Sequence, residues 1–336
     1  MFVIDSLYVN NSGGLVLLKY LVSKALELRH DVFFLIDSRC EEIFKHIPDN
    51  KKLVLAATYS NRLTFYKTHK SKLNGVLCFG NVPPPIRLKC KVYTYLHNPL
   101  LLATPGTYPF KQKVSKYLKT TFIKLHLPNT DGIFIQTSFM ADLLRTEWKY
   151  PDSKTWLFPF YDVRHFDVLK TIPKKANEYL FINDGNPHKN HINLLKAWAL
   201  VNEKQPAWRL HLTVTDRNPA VKQLIETYAK EGLNVVNHGF VNPADVYSIC
   251  QYLVYPSLTE SFGLGLMEGY AAGLQIIASD LPYAHSVVKP SATFDPLNPQ
   301  NMADVILKTR LENPDFMATE LKTQDMLEPM LAIFPR

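Results

Sequence analysis

Short apolar runs recur along this chain with amphipathic helix patterns between them, and that alternation limits the fold more than any other feature. The first half carries Phe2-Val-Ile-Asp5, Asp31 to Asp37, Leu53-Val-Leu-Ala56, Gly75-Val-Leu-Cys-Phe79, Val92-Tyr-Thr-Tyr-Leu96 and Gly132-Ile-Phe-Ile-Gln136. Continuous runs of this length suit strands covered on both faces, hence a mostly parallel sheet with helices on either side. A helix is expected from about Leu15 to Leu28. A second alternation begins near Tyr179-Leu-Phe-Ile182 and continues through Trp208 to Val214, Val235-Val236, Tyr252 to Tyr255 and Ile276-Ile-Ala278. Between the halves, Phe158 to Lys175 is proline-marked, charged and aperiodic. The expected class is α/β, with two Rossmann-like domains facing each other across a cleft, 1–163 and 164–315. The helical pattern of Pro314 to Pro335 predicts a helix over about 316–336 that packs back on the first domain.

Composition narrows the class. A chain of 336 residues is long for one domain, and 46% hydrophobic against 20% charged residues is ordinary for a buried core. Runs such as Val32-Phe-Phe-Leu-Ile36 fall far short of the ~20 residues a membrane span needs. Met1 to Asp5 lacks the basic and long apolar regions of a signal peptide and reads as a first strand. Cys40, Cys78, Cys90 and Cys250 are scattered without a CxxC spacing, which fits a reducing cytosol better than a disulfide framework or zinc site. The net charge of +8 is compatible with phosphate-bearing substrates, anionic lipid or nucleic acid and chooses none of them.

Chemistry concentrates in Glu260-Ser-Phe-Gly-Leu-Gly-Leu-Met-Glu268, which follows the strand end Leu253-Val-Tyr-Pro256 and runs into a small-residue helix ending at Gly273. Ligands in such βαβ units bind where strands end and helices begin. A helix start offers free N–H groups and the positive end of the dipole to an anion. Helical residues eight apart sit about 80° apart around the axis, so Glu260 and Glu268 can face one ligand if Gly263 folds the loop back. The plain alternative is one loop carboxylate and one solvated helix carboxylate.

Three further places invite the same weighing. Lys189, in Gly185-Asn-Pro-His-Lys-Asn-His191, is a cation just beyond a strand, where it can neutralise a leaving diphosphate. Its bland reading is a solvated lysine in a turn. His188 and His191 lack a third ligand, so no metal is expected. Gly13-Gly14 at the first strand-to-helix junction permits close backbone approach to phosphate or sugar, or simply makes a tight turn. Without the full G-x-G-x-x-G spacing it argues against a dinucleotide oxidoreductase. His97 follows a buried strand and precedes Asn98-Pro99, a position suited to a cleft residue, although a lone histidine is more often structural. Gly80-Asn-Val-Pro-Pro-Pro85 is a stiff loop that either shapes an acceptor site or only connects.

Ser257-Leu-Thr-Glu-Ser-Phe-Gly-Leu-Gly-Leu-Met-Glu-Gly-Tyr-Ala-Ala-Gly273 resembles the E-x7-E signature of retaining glycosyltransferases with the GT-B fold, specifically glycosyltransferase family 4. The resemblance reaches most of the chain. It implies that Glu260 contacts the donor sugar and Glu268 the ribose hydroxyls, with Ser261, Phe262, Gly263 and Leu264 beside the sugar and diphosphate. Asn237-His-Gly-Phe-Val241 resembles the loop beneath the nucleobase, which brings in Gly239 and Phe240. Lys189 matches the family's phosphate-binding lysine, Gly13 and Gly14 its N-terminal glycine loop, and His97 its sugar-contacting histidine. One departure stands out: the family's arginine, about five residues before the lysine, is replaced by Asn183-Asp184.

By that resemblance the protein is a metal-independent retaining glycosyltransferase with no cofactor. It would pass a sugar from a nucleoside-diphosphate donor to a hydroxyl of a glycan or lipid-linked acceptor in O-antigen, capsule or lipopolysaccharide synthesis. The competing readings are an epimerase-like nucleotide-sugar enzyme of the same fold and a non-catalytic glycan- or lipid-binding module. Along Lys111 to Leu125, Val114, Tyr117, Leu118, Phe122 and Leu125 share one side of a helical wheel, and Lys113, Lys116, Lys119 and Lys124 the other. That pattern is either an ordinary helix packed on the sheet or a basic element for the membrane surface. A cytoplasmic protein, peripheral at the inner face of the membrane, would follow from the second. Interleaved stacking aromatics are missing, so nucleic acid is not an expected partner.

Overall fold

The computed structural model describes residues 1–29, 31–103, 110–308 and 318–335. The chain divides into two compact units, Met1–Asp162 with Gln324–Arg336, and Val163–Thr323. In the first unit the strands are β1 (Phe2–Asp5), β2 (Val32–Asp37), β3 (Lys52–Leu55), β4 (Gly75–Cys78), β5 (Lys91–Tyr95), β6 (Gly132–Ile135) and β7 (Thr155–Leu157). They form a parallel sheet in the order β3-β2-β1-β4-β5-β6-β7. The chain winds outward from β1 to β3, then returns to the other side of β1 to place β4. Successive connections therefore leave on opposite faces there, and a crevice opens at the carboxyl ends of β1 and β4. Every residue of β1, β4 and β6 is buried, as their unbroken apolar sequences require.

One charged cluster crosses this interior. Arg62, on the helix Tyr59–His69, is buried and donates to Asp5 Oδ2 at 2.7 Å and to the carbonyls of Val82 and Pro83 at 2.8 and 2.7 Å. The Tyr66 hydroxyl donates to the same Asp5 oxygen at 2.7 Å. With its donors shared among a carboxylate and two carbonyls, the guanidinium is tolerated inside, and it ties the loop after β4 to the end of β1.

The second unit contains β8 (Lys175–Phe181), β9 (Arg209–Leu212), β10 (Val235–Asn237), β11 (Cys250–Tyr255), β12 (Gln275–Ser279), β13 (Val288–Lys289), β14 (Ala292–Phe294) and β15 (Glu320–Leu321). Six of these form a parallel sheet ordered β10-β9-β8-β11-β12-β14, with the reversal between β8 and β11. β13 and β15 pair antiparallel.

Two expectations need correction. The helix predicted over about 316–336 is much shorter: residues 316 and 317 lie outside the described residues, Glu320–Leu321 is a strand, and helix occupies only Leu327–Ala332. The backbone at Glu320 finds ladder partners in β13, and Asp325 accepts from the Leu327 N–H at 3.0 Å to begin the helix later. The second concerns the helix Phe110–His126, whose apolar stripe is not its packed face. Ile123 is buried and Lys116 and Thr120 half-buried, with Thr120 donating to the Leu101 carbonyl at 3.0 Å. Tyr117, Leu118 and Leu125 are 70%, 62% and 72% exposed, so this stripe is not used against the sheet. Among the described residues no helix is long and apolar enough to cross a membrane.

The chain end lies on the first sheet. The Phe334 ring is 4.3 Å from Phe2 and 5.6 Å from Tyr93, and Arg29 Nη1 donates to the carbonyls of Leu331 and Phe334 at 3.1 Å each. Phe334→Ala should therefore destabilise the first unit by about 3–5 kcal/mol, as for other buried aromatics. Urea unfolding followed by tryptophan fluorescence measures it, and an unchanged midpoint would mean the tail contributes no core.

Candidate active site

Both sheets place polar residues where their winding reverses. In the second unit β8 leads to Lys189 and β11 to Glu260, on either side of the reversal. Lys189 Nζ donates to Glu260 Oε1 at 2.6 Å, with both side chains nearly out of solvent. The Tyr255 hydroxyl at the end of β11 donates to the same oxygen at 3.1 Å. Burial by itself raises the Glu260 pKa, but the charge and hydrogen bond of Lys189, with smaller help from His188 and Ser257, together hold the carboxyl below its ordinary value.

The loop carrying Lys189 is held rigidly. Asn190 sits in the left-handed region at φ 62°, and its Nδ2 donates to the carbonyls of Pro256 and Pro296 at 3.1 and 2.7 Å. Leu258 N–H donates to the His188 carbonyl at 2.8 Å, so the loops after β8 and β11 are bonded directly. Asp184, at the place where an arginine was expected by resemblance, accepts from Gly185 N–H at 2.8 Å and from Asn218 Nδ2. It fastens the loop and brings no positive charge. Burial lowers the His188 pKa to about 4 and the His191 pKa to about 3, so both are neutral near pH 7. Among the described residues no group of three or more His, Cys, Asp or Glu side chains could hold a metal ion.

Beyond Glu260, Ser261 is half-buried and Phe262 buried, and Gly263 at φ 73° turns the chain into the helix Leu264–Ala271. Glycine adopts that left-handed backbone more readily than residues with a Cβ, and a Cβ there would also lie 3.1 Å from the Leu266 side chain. Gly263 supplies no side-chain cap to this helix, and within the first turn the Leu266 N–H donates to the Gly263 carbonyl at 2.8 Å. One turn further, Glu268 accepts from the Tyr247 hydroxyl at 3.1 Å, and burial raises its pKa despite that bond. The two carboxylates thus rest on separate tyrosines and titrate in opposite directions.

Gly239 follows β10 at φ 63°, and Phe240 beside it is 97% exposed. Behind them, His238 Nε2 lies 2.8 Å from His211 Nδ1, and His211 Nε2 lies 2.6 Å from buried Glu178. This chain of polar groups supports the loop. Periodicity hides it, because Glu178 and His211 interrupt otherwise apolar strands.

In the first unit the helix begins at Ser12, so Gly13 and Gly14 lie in its first turn and not in a loop before it. Asn11 N-caps it in extended conformation, and its carbonyl accepts from Leu15 N–H at 3.2 Å. A Cβ on Gly14 would lie 3.1 Å from His97 Nε2, so glycine allows this helix start to approach the ring. His97 follows β5 and is bonded by Asn81, which follows β4: its backbone N–H donates to Asn81 Oδ1 at 2.7 Å. Burial lowers its pKa to about 4. Sequence reading passed over Asn81, Asn190, Tyr247 and Tyr255. A signal existed for the asparagines, each in a loop that follows a predicted strand and each tolerant of the left-handed backbone.

Comparison with known proteins bears on this second sheet first. Residues 165–321 match the family of glycosyl transferases group 1. The chain is 28% identical over 180 residues to the UDP-N-acetylglucosamine--peptide N-acetylglucosaminyltransferase GtfA subunit of Limosilactobacillus reuteri, covering 48% of this chain and 32% of that one. It is 28% identical over 134 residues to the O-antigen chain mannosyltransferase RfbU of Salmonella typhimurium, covering 38% and 36%. The chain thus spans about a third of the length of these curated relatives. Among solved structures, WaaG, a glycosyltransferase involved in lipopolysaccharide biosynthesis, is similar over 99% of both chains, with a TM-score of 0.68 and 14% identity. That likeness shows the fold. Two parallel α/β sheets with this winding are the GT-B class.

The Lys189–Glu260 pair makes an acid-dependent contribution to stability. Its carboxyl has a lowered pKa in the fold, so the contribution is present above the ordinary carboxyl range and is lost as pH falls through the lowered value. Lys189→Met leaves a buried, unpaired carboxylate and should cost about 3–5 kcal/mol near pH 7. Its remaining bias is burial, so the variant should gain stability, relative to wild type, as pH falls. Urea midpoints from about pH 2 to about pH 8 test both signs.

Proposed function

We propose that this protein is a retaining glycosyltransferase that moves a sugar from a nucleoside-diphosphate donor to a hydroxyl of a glycan or lipid-linked acceptor in surface polysaccharide synthesis. The observation that carries the reading is the ion pair of half-buried Lys189 with buried Glu260, a few residues before a helix start without a side-chain cap, where the second sheet reverses. A fixed cation and free N–H groups at a strand end stabilise the charge that develops on a departing diphosphate. Similarity to the glycosyl transferases group 1 family over the same residues supports it, as do the relatives named for nucleotide-sugar and O-antigen transfer.

In this reading the nucleotide lies on the second unit, with Phe240 and Gly239 by the base and Glu268 accepting from ribose hydroxyls. Ser261, Phe262, Gly263 and Leu264 flank the sugar and diphosphate. Glu260 accepts from a sugar hydroxyl while Lys189 neutralises the leaving group. The bond from the anomeric carbon to the phosphate oxygen breaks, and a bond to the acceptor oxygen forms on the same face. The acceptor's proton passes to the departing phosphate oxygen. Lys189 and the helix dipole supply the positive charge, so we propose a reaction that needs no metal or other cofactor. His97 meets a sugar from the first unit, near Gly13 and Gly14.

Calorimetry with UDP-, GDP- and ADP-sugars tests the donor site. Glu268→Ala should weaken nucleotide binding about tenfold, or about 1.4 kcal/mol. Glu260→Ala should chiefly lower turnover. Wild-type transfer rates in both variants would overturn the site. Because the Glu268 pKa is raised, nucleotide affinity should fall on acidification before an ordinary carboxyl would titrate.

We also propose that the helix Phe110–His126 rests on an anionic membrane surface at the inner face of the membrane. Its exposed Tyr117, Leu118 and Leu125 lie beside exposed Lys113, Lys119 and Lys124, the pairing that suits the boundary of an acidic bilayer. Co-sedimentation should be strong with vesicles containing phosphatidylglycerol, weak with neutral vesicles, and lost in Leu118→Glu/Leu125→Glu. Equal binding by that variant would overturn the assignment.

A further inference from the structure

Asn81 follows β4 with φ 64°, in the left-handed region where asparagine sits more easily than most side chains. It is bonded to His97 at both ends. Asn81 Oδ1 accepts from the His97 backbone N–H at 2.7 Å, and Asn81 Nδ2 lies 3.2 Å from His97 Nε2. The first bond decides the second. A backbone N–H only donates, so the amide atom facing it is the oxygen, and the other end is the NH2 group. That group also only donates, so Nε2 must be the unprotonated nitrogen, and the proton of the neutral ring sits on Nδ1. A proton on Nε2 would set two N–H groups against each other.

The surroundings hold this arrangement still. The ring lies 4.9 Å from Phe79 and 6.1 Å from Tyr95, with Gly14 close on the Nε2 side. Arg62, paired with Asp5, grips the carbonyls of Val82 and Pro83 immediately after Asn81. Nδ1 is buried and has no partner among the described residues. Burial disfavours the imidazolium as well.

We infer that Asn81 is a positioning residue that fixes His97 as the neutral Nδ1–H tautomer, with Nε2 occupied by the Asn81 amide, so that His97 is not a general acid or base. The inference rests on the reading that His97 meets a sugar. It adds which nitrogen carries the proton, what decides that, and which chemistry His97 is thereby denied.

Long-range proton–nitrogen spectra of the full chain labelled with 15N-histidine test it, His97 being identified by its loss in His97→Gln. From about pH 5.5 to about pH 8, the interval in which an ordinary histidine titrates, Nε2 should keep the shift of an unprotonated ring nitrogen. A protonated Nε2, an exchanging mixture of tautomers, or titration within that interval overturns the inference. Asn81→Asp puts a carboxylate oxygen opposite Nε2, so that nitrogen should become protonated. Asn81→Gly keeps the left-handed backbone and removes the amide, so the ring should show mixed tautomers. In transfer assays both variants should lose about tenfold in kcat with donor KM within about twofold of wild type. An unchanged kcat in Asn81→Asp, with Nε2 protonated, would overturn the role in positioning. The wild-type spectrum needs no turnover, so a wild-type chain that transfers no sugar would sink the glycosyltransferase reading and not the tautomer.

Discussion

A parallel sheet covered on both faces has almost no room for polar chemistry along its strands, and that constraint organises both units. β1, β4 and β6 are buried throughout, so ligand-binding groups must stand beyond the carboxyl ends. The winding order then selects which ends matter. In the first unit Gly14, Asn81 and His97 follow β1, β4 and β5, and in the second Lys189 and Glu260 follow β8 and β11. Each set gathers about a reversal of the winding, where neighbouring connections part to opposite faces and leave a crevice.

Charge inside such a protein is tolerated only with partners. The Asp5–Arg62 pair is buried, Glu260 is buried against half-buried Lys189, and each carboxylate also accepts from a tyrosine. Moving either charge from water is costly, and attraction repays the cost only when the remaining donors and acceptors are satisfied. The two pairs differ in consequence. Arg62 spends its other donors on loop carbonyls and so fixes backbone. Lys189 has Glu260 as its partner and so joins the loop after β8 to the segment that leads into the helix Leu264–Ala271.

Much of the architecture was legible. Runs such as Gly75 to Phe79 and Gly132 to Gln136 are apolar because both their faces are covered, and such runs announce themselves. The short edge strands Thr155–Leu157 and Ala292–Phe294 did not, since three residues carry no period. The tail misled for a related reason: its apolar spacing fits a helix, but the Glu320–Leu321 backbone pairs with a distant strand. On the helix Phe110–His126 the wheel separated lysines from apolar residues correctly. It could not say that Lys116, Thr120 and Ile123 form the packed face. Amphipathicity gives two sides without saying which one meets the protein.

The glycine-bearing turn at Gly263, the helix it starts and the alternation of strand and helix follow from the order of residues, because backbone freedom and hydrophobic burial act locally along the chain. Which polar groups meet was decided only by the tertiary structure. Lys189 and Glu260 are 71 residues apart and touch because β8 and β11 are neighbours in the sheet. Asn81 and His97 are separated by 16 residues and meet because β4 and β5 pair. Asp184 shows the converse: a residue that looked like a gap in the phosphate site holds Asn218 and closes a loop. Protonation follows from such meetings: of two glutamates eight positions apart in one motif, burial raises the pKa of Glu268, whereas Glu260, buried as well, faces Lys189 and has its pKa lowered.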